Sequence, residues 1–307
     1  MKKISLNIDV DPIVNYYLIH GLESPNVESD PVYEQGVTRF LDLFEQHEIK
    51  ATFFITAKGA GKEDKEIINE IVSRGHEIGN HSFSHDYALT QKNEDEIYKD
   101  ILENHNVVKN ITGFECTGFR SPGYNSSDKV VAALKKMNYI YDSSLFPSPS
   151  YYLAKWLLIN FKKLLGHKSK SIISSFKDAF GSQKPEFIDK NIKNIKEIGD
   201  LIEIPITTLF PPFGVPLIGT SLVCFPEWVN NLMLKNSLKR DFINIELHGI
   251  DLVEINDSPL LEPLKKVQPD LKHPLTHKLQ RVEQAIVLYK ENGYKFMTLE
   301  EIAKQYF

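Results

Sequence analysis

Short apolar runs, each stopped by an acid, a histidine or an arginine, alternate along this chain with stretches of helical spacing, and that rhythm limits the fold more than any other feature. Ile4 to Ile8 run into Asp9 and Asp11. Val37, Phe40, Leu41 and Phe44 then recur at helical spacing before A-T-F-F-I-T at 51–56. Strand, helix, strand is a βαβ signature. Ile67 to Val72 reads as helix, Gly75 stops it, and H-E-I-G-N-H carries a third strand into His81. Residues 92–107 have the charge pattern of a surface helix, and F-E-C-T-G-F-R is a fourth strand ending in Arg120. Ser126 or Ser127 caps a helix that ends near Met137, and Y-I-Y-D-S-S supplies a fifth strand with Asp142. L-I-E-I-P at 201–205, F-I-N-I-E-L-H at 242–248, a helix over 276–291 and Y-K-F-M-T-L complete the series. The series predicts an α/β fold, a distorted (β/α) barrel with seven or eight strands. Strand ends then gather Asp9, Asp11, His81, Arg120, Asp142 and His248 on the face where barrels build their sites.

Two segments break the rhythm. The polar, Pro-containing stretch from Asp11 to about residue 34 is longer than an ordinary connection and is expected to be a functional loop over a strand edge. Residues 150–198 are expected to be an insertion or cap within a single catalytic domain spanning 1–307. Tyr151, Tyr152, Trp156, Leu157 and Phe161 form an apolar, helix-like stretch, followed by Lys162, Lys163, His167, Lys168 and Lys170. Two readings stand: a helix packed on the barrel with a solvated basic turn, or an amphipathic lid that touches anionic lipid.

Composition narrows the function classes. A net charge of -5 with 25% charged residues does not attract a polyanion, so no nucleic acid is expected as partner. Cys116 and Cys224 are too few for a disulfide framework and read as reduced core cysteines. No stretch approaches the roughly 18 apolar residues of a membrane span. The N-terminus M-K-K-I-S-L-N-I-D reaches carboxylates before any run long enough for a secretion signal, so a cytoplasmic protein is expected.

The strongest local signal is H-S-F-S-H. His81 and His85 stand four apart, so on a helical turn their imidazoles would face the same way and grip one metal. Asp9 and Asp11 add carboxylates on one face of a strand end. Two like charges held together raise each other's pKa unless a cation is present. Asp11 with the two histidines suits one divalent ion, Zn²⁺ first, with Co²⁺, Mn²⁺, Fe²⁺ or Ni²⁺ as alternatives.

Taken in order, I-D-V-D at 8–11, G-H-E-I-G-N-H-S-F-S-H at 75–85, F-R-S-P-G-Y at 119–124, Y-D-S-S-L-F-P at 141–147 and E-L-H-G at 246–249 resemble the polysaccharide deacetylases, the NodB-homology or family 4 carbohydrate esterases. The resemblance runs from residue 4 to about 300, outside the 150–198 insertion. The family's usual first segment is T-F-D-D-G; here Val10 separates the acids and Pro12 follows, as in a divergent branch with a D-x-D or D-x-E segment. The resemblance implies a metal-dependent hydrolase that removes N-acetyl or O-acetyl groups from sugars without a covalent enzyme intermediate. It implies Asp9 as general base, Asp11, His81 and His85 as metal ligands, and Arg120 as the partner that holds Asp9, against the plain alternative of a structural salt bridge. It implies a tight turn at Pro122 and Gly123, the Tyr124 backbone N–H as oxyanion donor, and a Tyr124 ring that stacks on sugar or merely walls the pocket. His248 becomes the acid that protonates the leaving amine, where a lone histidine would otherwise read as a satisfied core residue. Asp142 either orients it or lines the pocket. Glu246 stands where the family commonly has Leu, and Ile245 and Leu247 are expected to supply the acyl pocket.

Other polar residues have less to do. His76 is expected to pack below the site, Glu203 to contact substrate or sit in a buried salt bridge, and His273 and His277 to lie at the surface. Leu209 to Leu222 reads as an ordered loop bordering the pocket, with no lysine-serine pair to cradle phosphate. The expected substrate is an acylated sugar, a nucleotide sugar or a lipid-linked glycan, with peripheral membrane contact if the 150–198 helix lies on lipid. Hydrolysis of another non-peptide C–N bond, such as an N-formyl amide or cyclic imide, is the second enzyme reading, and a metal-retaining carbohydrate-binding barrel the non-enzyme one.

Overall fold

A computed structural model describes residues 1–164, 177–188 and 200–307. The basic residues His167, Lys168 and Lys170 lie outside that range, as do the side chains of Phe161, Lys162 and Lys163. The strands are β1 (Lys3–Val10), β2 (Thr52–Ile55), β3 (Glu77–Asn80), β4 (Gly118–Phe119), β5 (Tyr141–Asp142), β6 (Glu186–Phe187), β7 (Ile202–Glu203), β8 (Thr208–Leu209), β9 (Val215–Pro216), β10 (Phe242–His248) and β11 (Lys295–Phe296). Between them lie α1 (Ile13–His20), α2 (Thr38–Gln46), α3 (Lys62–Ser73), α4 (Glu94–Thr112), α5 (Asp128–Lys136), α6 (Pro149–Leu164), α7 (Gly219–Cys224), α8 (Glu227–Ser237), α9 (Leu275–Glu291) and α10 (Leu299–Ala303).

Nine strands form one sheet in the order β10-β1-β2-β3-β4-β5-β7-β6, with β11 on β1; β8 and β9 make a separate hairpin. All pairs along the path are parallel except β6 with β7. The sheet curls until the tail of β7 reaches β10, where Thr207 N–H donates to Asn244 O at 2.9 Å. This is the distorted (β/α) barrel, with eight strands on the path and β11 filling the edge of β1 at Lys3 and Ile4.

Alternation on the strands separates two environments. On β1, Ile4, Leu6, Ile8 and Val10 enter the main apolar core shared with the helices, while Ser5, Asn7 and Asp9 take the other face. A second apolar cluster of Phe54, Tyr141, Ile202, Ile204 and residues of α10 forms on the inner side. Glycine makes room for it: a Cβ on Gly79 would stand 2.4 Å from the Phe54 ring, and one on Gly118 1.8 Å from that of Tyr141.

Local signals place the helices. Asn93 and Glu96 form a capping box at the start of α4, and Gly113 closes it in the left-handed conformation. Ile97, Ile101, Asn104 and Val108 are its buried side. Ser127, not Ser126, caps α5. The stretch after Asp11 is not the long loop expected. It carries α1, and Asp30 ties its ends together: one carboxylate oxygen accepts from Ile13 N–H at 2.7 Å and the other from Val32 N–H at 2.9 Å.

Candidate active site

Parallel pairing aligns the C-terminal ends of the strands, with Asp9 in register with His248 and Phe54, and Phe119 with Asp142. Arg120, immediately after β4, is completely buried. Its Nη1 donates to Asp9 Oδ1 at 2.7 Å, while Nε and Nη2 donate to Ser143 O and Oγ, both at 2.9 Å. The guanidinium rests 4.3 Å from the centroid of the Phe54 ring. Held on every side, it fixes one oxygen of Asp9 and leaves the other facing the histidines.

His81 follows β3, and its Nδ1 donates to the Arg120 carbonyl at 2.8 Å. That bond leaves Nε2 with its lone pair. Nε2 stands 3.4 Å from Asp11 Oδ1 and 3.7 Å from Asp9 Oδ2; His85 Nε2 is 2.8 Å from Asp11 Oδ1. The histidines do not meet on a helical turn, as their spacing suggested. Residues 81–85 form a bent loop in which Ser82 and His85 have φ of 63° and 47°. Side chains hold it there: Asn80 Oδ1 accepts from Ser82 N–H, Ser82 Oγ from His85 N–H and Asp100 Oδ1 from Phe83 N–H.

Asp11, His81 and His85 each bring one donor atom within 4.8 Å of the others, and all three are buried. Asp11 Oδ1 faces the ring nitrogens of both histidines, and His85 Nδ1 is buried without a hydrogen-bond partner. Burial pushes the Asp11 carboxyl up, but the charges of His85 and His81 and their hydrogen bonds outweigh it and hold the group well below its usual range. One carboxylate and two imidazoles, buried together with one ligand atom each within 4.8 Å of the others, make a site for a single divalent ion.

A second group lies on β10. Asp9, Glu246 and His248 also have ligand-type atoms within 4.8 Å of one another. Alternation turns Asn244, Glu246 and His248 inward and sends Ile245 and Leu247 into the main core. Ile245 and Leu247 therefore do not form an acyl pocket. Glu246 is the carboxylate beside His248, with Oε1 2.9 Å from Nδ1. Burial lowers the His248 imidazolium, but Glu246, Asp251 and Asp9 outweigh that and raise its pKa well above the usual histidine value.

Asp142 takes no bond from His248. It accepts from the hydroxyls of Ser144 and, at 3.4 Å, Ser126, and burial pushes it up to about 6. Pro122 and Gly123 form the expected tight turn, with Gly123 at φ 64° and Tyr124 at 61°. The Tyr124 N–H is not a free oxyanion donor, because the turn commits it to Ser121 O at 3.0 Å. The Tyr124 ring packs against Phe146 and Tyr151.

These groups open onto a cavity of about 330 Å³ lined by Asp9, Asp11, His81, His85, Gly123, Tyr124 and His248. The sequence reading missed several of its walls: Asn15 and Tyr16 on α1, Tyr87, and Lys155 on α6, which stands there beside Tyr151 of the expected cap stretch. Tyr87 sits two residues beyond a proposed ligand, and Tyr151 and Lys155 are one helical turn apart; those spacings were the available signals. Glu203 accepts from Leu145 N–H at 2.8 Å and borders a neighbouring cavity of about 750 Å³ that shares Tyr124. His76 accepts from Ala51 N–H between Phe44 and Phe53, below the site as expected. His273 and His277 stack on each other and line neither cavity. Cys116 and Cys224 are free thiols.

The polysaccharide deacetylase family profile matches residues 27–141, which include His81, His85 and Arg120 but stop short of His248. The peptidoglycan deacetylase of Helicobacter pylori is 31% identical over 148 residues, 46% of this chain and 49% of that protein. The chain spans about half or less of the curated relatives it matches. A proposed polysaccharide deacetylase from Mycobacterium smegmatis shares the fold with a TM-score of 0.58 at 16% identity, over 99% of this chain and 90% of that one. A family 4 acetyl xylan esterase from Clostridium thermocellum, solved with a cobalt ion, aligns with a TM-score of 0.50 at 16% identity, over 99% and 91%.

Proposed function

We propose that this chain, which belongs to the polysaccharide deacetylase family, hydrolyses the N-acetyl or a similar acyl amide of a sugar or glycan precursor. The observation that carries the reading is the position of Asp9: one oxygen is fixed by Arg120, and the other faces His81 at 3.7 Å beside the metal ligands. A divalent ion held by Asp11, His81 and His85 supplies Lewis acidity and a more acidic water; Zn²⁺ is the first candidate for a donor set of one oxygen and two nitrogens, with Co²⁺, Mn²⁺, Fe²⁺ and Ni²⁺ behind it.

Asp9 takes the proton of the attacking water. Arg120 keeps that carboxylate aimed, because its other N–H groups are anchored on Ser143. His248, kept protonated by Glu246, gives its proton to the leaving amine. The acid and the base thus stand on neighbouring strands in register, and the products are a small carboxylic acid and a free amino sugar. Tyr124, Tyr87 and Tyr151 wall the reacting groups from solvent. In this reading 1–307 works as one catalytic unit, with α6 from the 150–198 insertion as its cap.

A lipid-borne form of the substrate is favoured by one surface. Leu153, Trp156, Leu157 and Leu158 lie exposed on α6, whose other side lines the cavity, and Lys162 and Lys163 follow in sequence. No helix among the described residues is long and apolar enough to cross a membrane. Contact is therefore proposed as peripheral, through α6.

Mass-spectrometric turnover of N-acylated sugars, nucleotide sugars and lipid-linked sugars by metal-loaded protein tests the activity. Release of acetate establishes deacetylation, and release of formate moves the assignment to a deformylase. D9N is expected to bind the same sugar and to lose about 100-fold or more in kcat. Unchanged turnover in D9N would remove Asp9 as base, and no turnover by wild type across the panel would sink the enzymatic reading.

A further inference from the structure

We propose that Lys155 makes the cavity selective for amino sugars bearing a negative group, a phosphate or a carboxylate; the sugar rests on the deacetylase reading, the charge on the geometry alone. Lys155 stands on α6 one turn after Tyr151, and both line the cavity that holds Asp11, His81 and His85. Only 9% of Lys155 is exposed. Its Nζ donates to Gly123 O at 3.3 Å and lies 5.5 Å from the centroid of the Tyr151 ring. Among the described residues no carboxylate pairs with it, although Asp9 and Asp11 line the same cavity and Glu246 lies behind His248. Asp9 is answered by Arg120, Asp11 by the two histidines and Glu246 by His248.

A buried ammonium with three donors and one long bond to a neutral carbonyl has lost more hydration than its surroundings return. Burial lowers Lys155 to about 8, so most of it still carries its charge at neutral pH. An anionic oxygen in the cavity would supply the missing partner. Two further donors favour an acceptor-rich ligand: Asn15 Nδ2 and the Tyr16 hydroxyl are buried without hydrogen-bond partners, and both residues line the cavity. A phosphate or a ring-linked carboxylate presents the oxygens these groups lack.

Calorimetric titration of the Zn²⁺-loaded full chain with glucosamine, glucosamine 6-phosphate and muramic acid tests this without turnover, since none of the three carries an acyl amide. The wild type is expected to bind at least one anionic sugar about tenfold or more tighter than glucosamine, the scale of one charge-assisted hydrogen bond. K155M is expected to remove that margin and K155R to keep it; K155Q replaces K155M if the latter does not fold. Preference for the phosphate alone assigns a phosphosugar, and preference for the carboxylate alone assigns a muramic-type sugar. Equal affinities in the wild type, a margin that survives K155M, or a loss equal for all three sugars would overturn the proposal. Because no bond is hydrolysed, the result does not depend on whether Asp9 acts as a base.

Discussion

Glu246 is the residue on which the proposed acid chemistry of His248 turns. It is fully buried, its oxygens have no hydrogen-bond donor, and one lies 2.9 Å from His248 Nδ1. A carboxylate there stabilises the imidazolium, so the raised pKa of His248 keeps the acid protonated through neutral pH. The rate should fall as pH rises through that pKa. E246Q removes the stabilising charge, so the basic limb of a kcat/KM profile should move to lower pH while the acidic limb stays in place. A basic limb that does not move would mean that His248 is not the titrating acid. At the metal ligands the expected effect is on binding: D11N or H85A should weaken Zn²⁺ by about 100-fold or more, read by competition with a chromophoric chelator. Metal affinity that survives both changes would remove the Asp-His-His site.

Elements were legible where one physical signal dominated. Apolar runs ending in polar residues marked β1, β3, β4 and β10, and Ser127, one of the two capping candidates, sits at a true helix start. The loop at 81–85 was misread because a spacing of four says where side chains point only if the backbone is helical. Here it is set by Asn80, Ser82 and Asp100, whose bonds to the loop have no sequence period. Asn15, Tyr16 and Lys155 escaped notice for a related reason: they belong to helices whose approach to the cavity depends on long-range packing. Glu246 was visible as an oddity, but only strand alternation in three dimensions turns it toward His248. The glycines of β3 and β4 give a test at this scale. In G79A the new methyl would stand 2.4 Å from the Phe54 ring, which supports the Arg120 guanidinium. Overpacking of this kind costs about 1–3 kcal/mol, so urea unfolding should shift to lower concentration. Activity should fall further than stability explains, because Arg120 moves with Phe54. A variant as stable and active as the wild type would show that the ring yields freely.

For the whole molecule the critical place is the seam between β7 and β10, where the ladder is replaced by bonds around Asn244. Its carbonyl accepts from Thr207 N–H and its N–H donates to Thr207 Oγ1. Its side-chain Nδ2 reaches Ser143 Oγ at 3.2 Å, Ile204 O at 3.3 Å and Pro205 O at 3.1 Å, and its Oδ1 accepts from Asn7. One inward-facing amide thus joins β1, the residue after β5, the tail of β7 and β10. Ser143 is also the anchor of Arg120, so closure of the sheet and aim of Asp9, the proposed base, share a residue. N244L should leave several of these buried groups without partners, at about 1–3 kcal/mol for each one left unsatisfied. The expected result is a lower unfolding midpoint together with a loss in kcat, because Asp9 and His248 are register partners at the end of the β1–β10 pair that Asn244 helps to hold. N244D should lose the bonds to the carbonyls of Ile204 and Pro205, which a carboxylate cannot make, and should fall the same way. Unfolding that stays at the wild-type midpoint in both variants would mean that the sheet is held at the seam by the Thr207 backbone bonds alone.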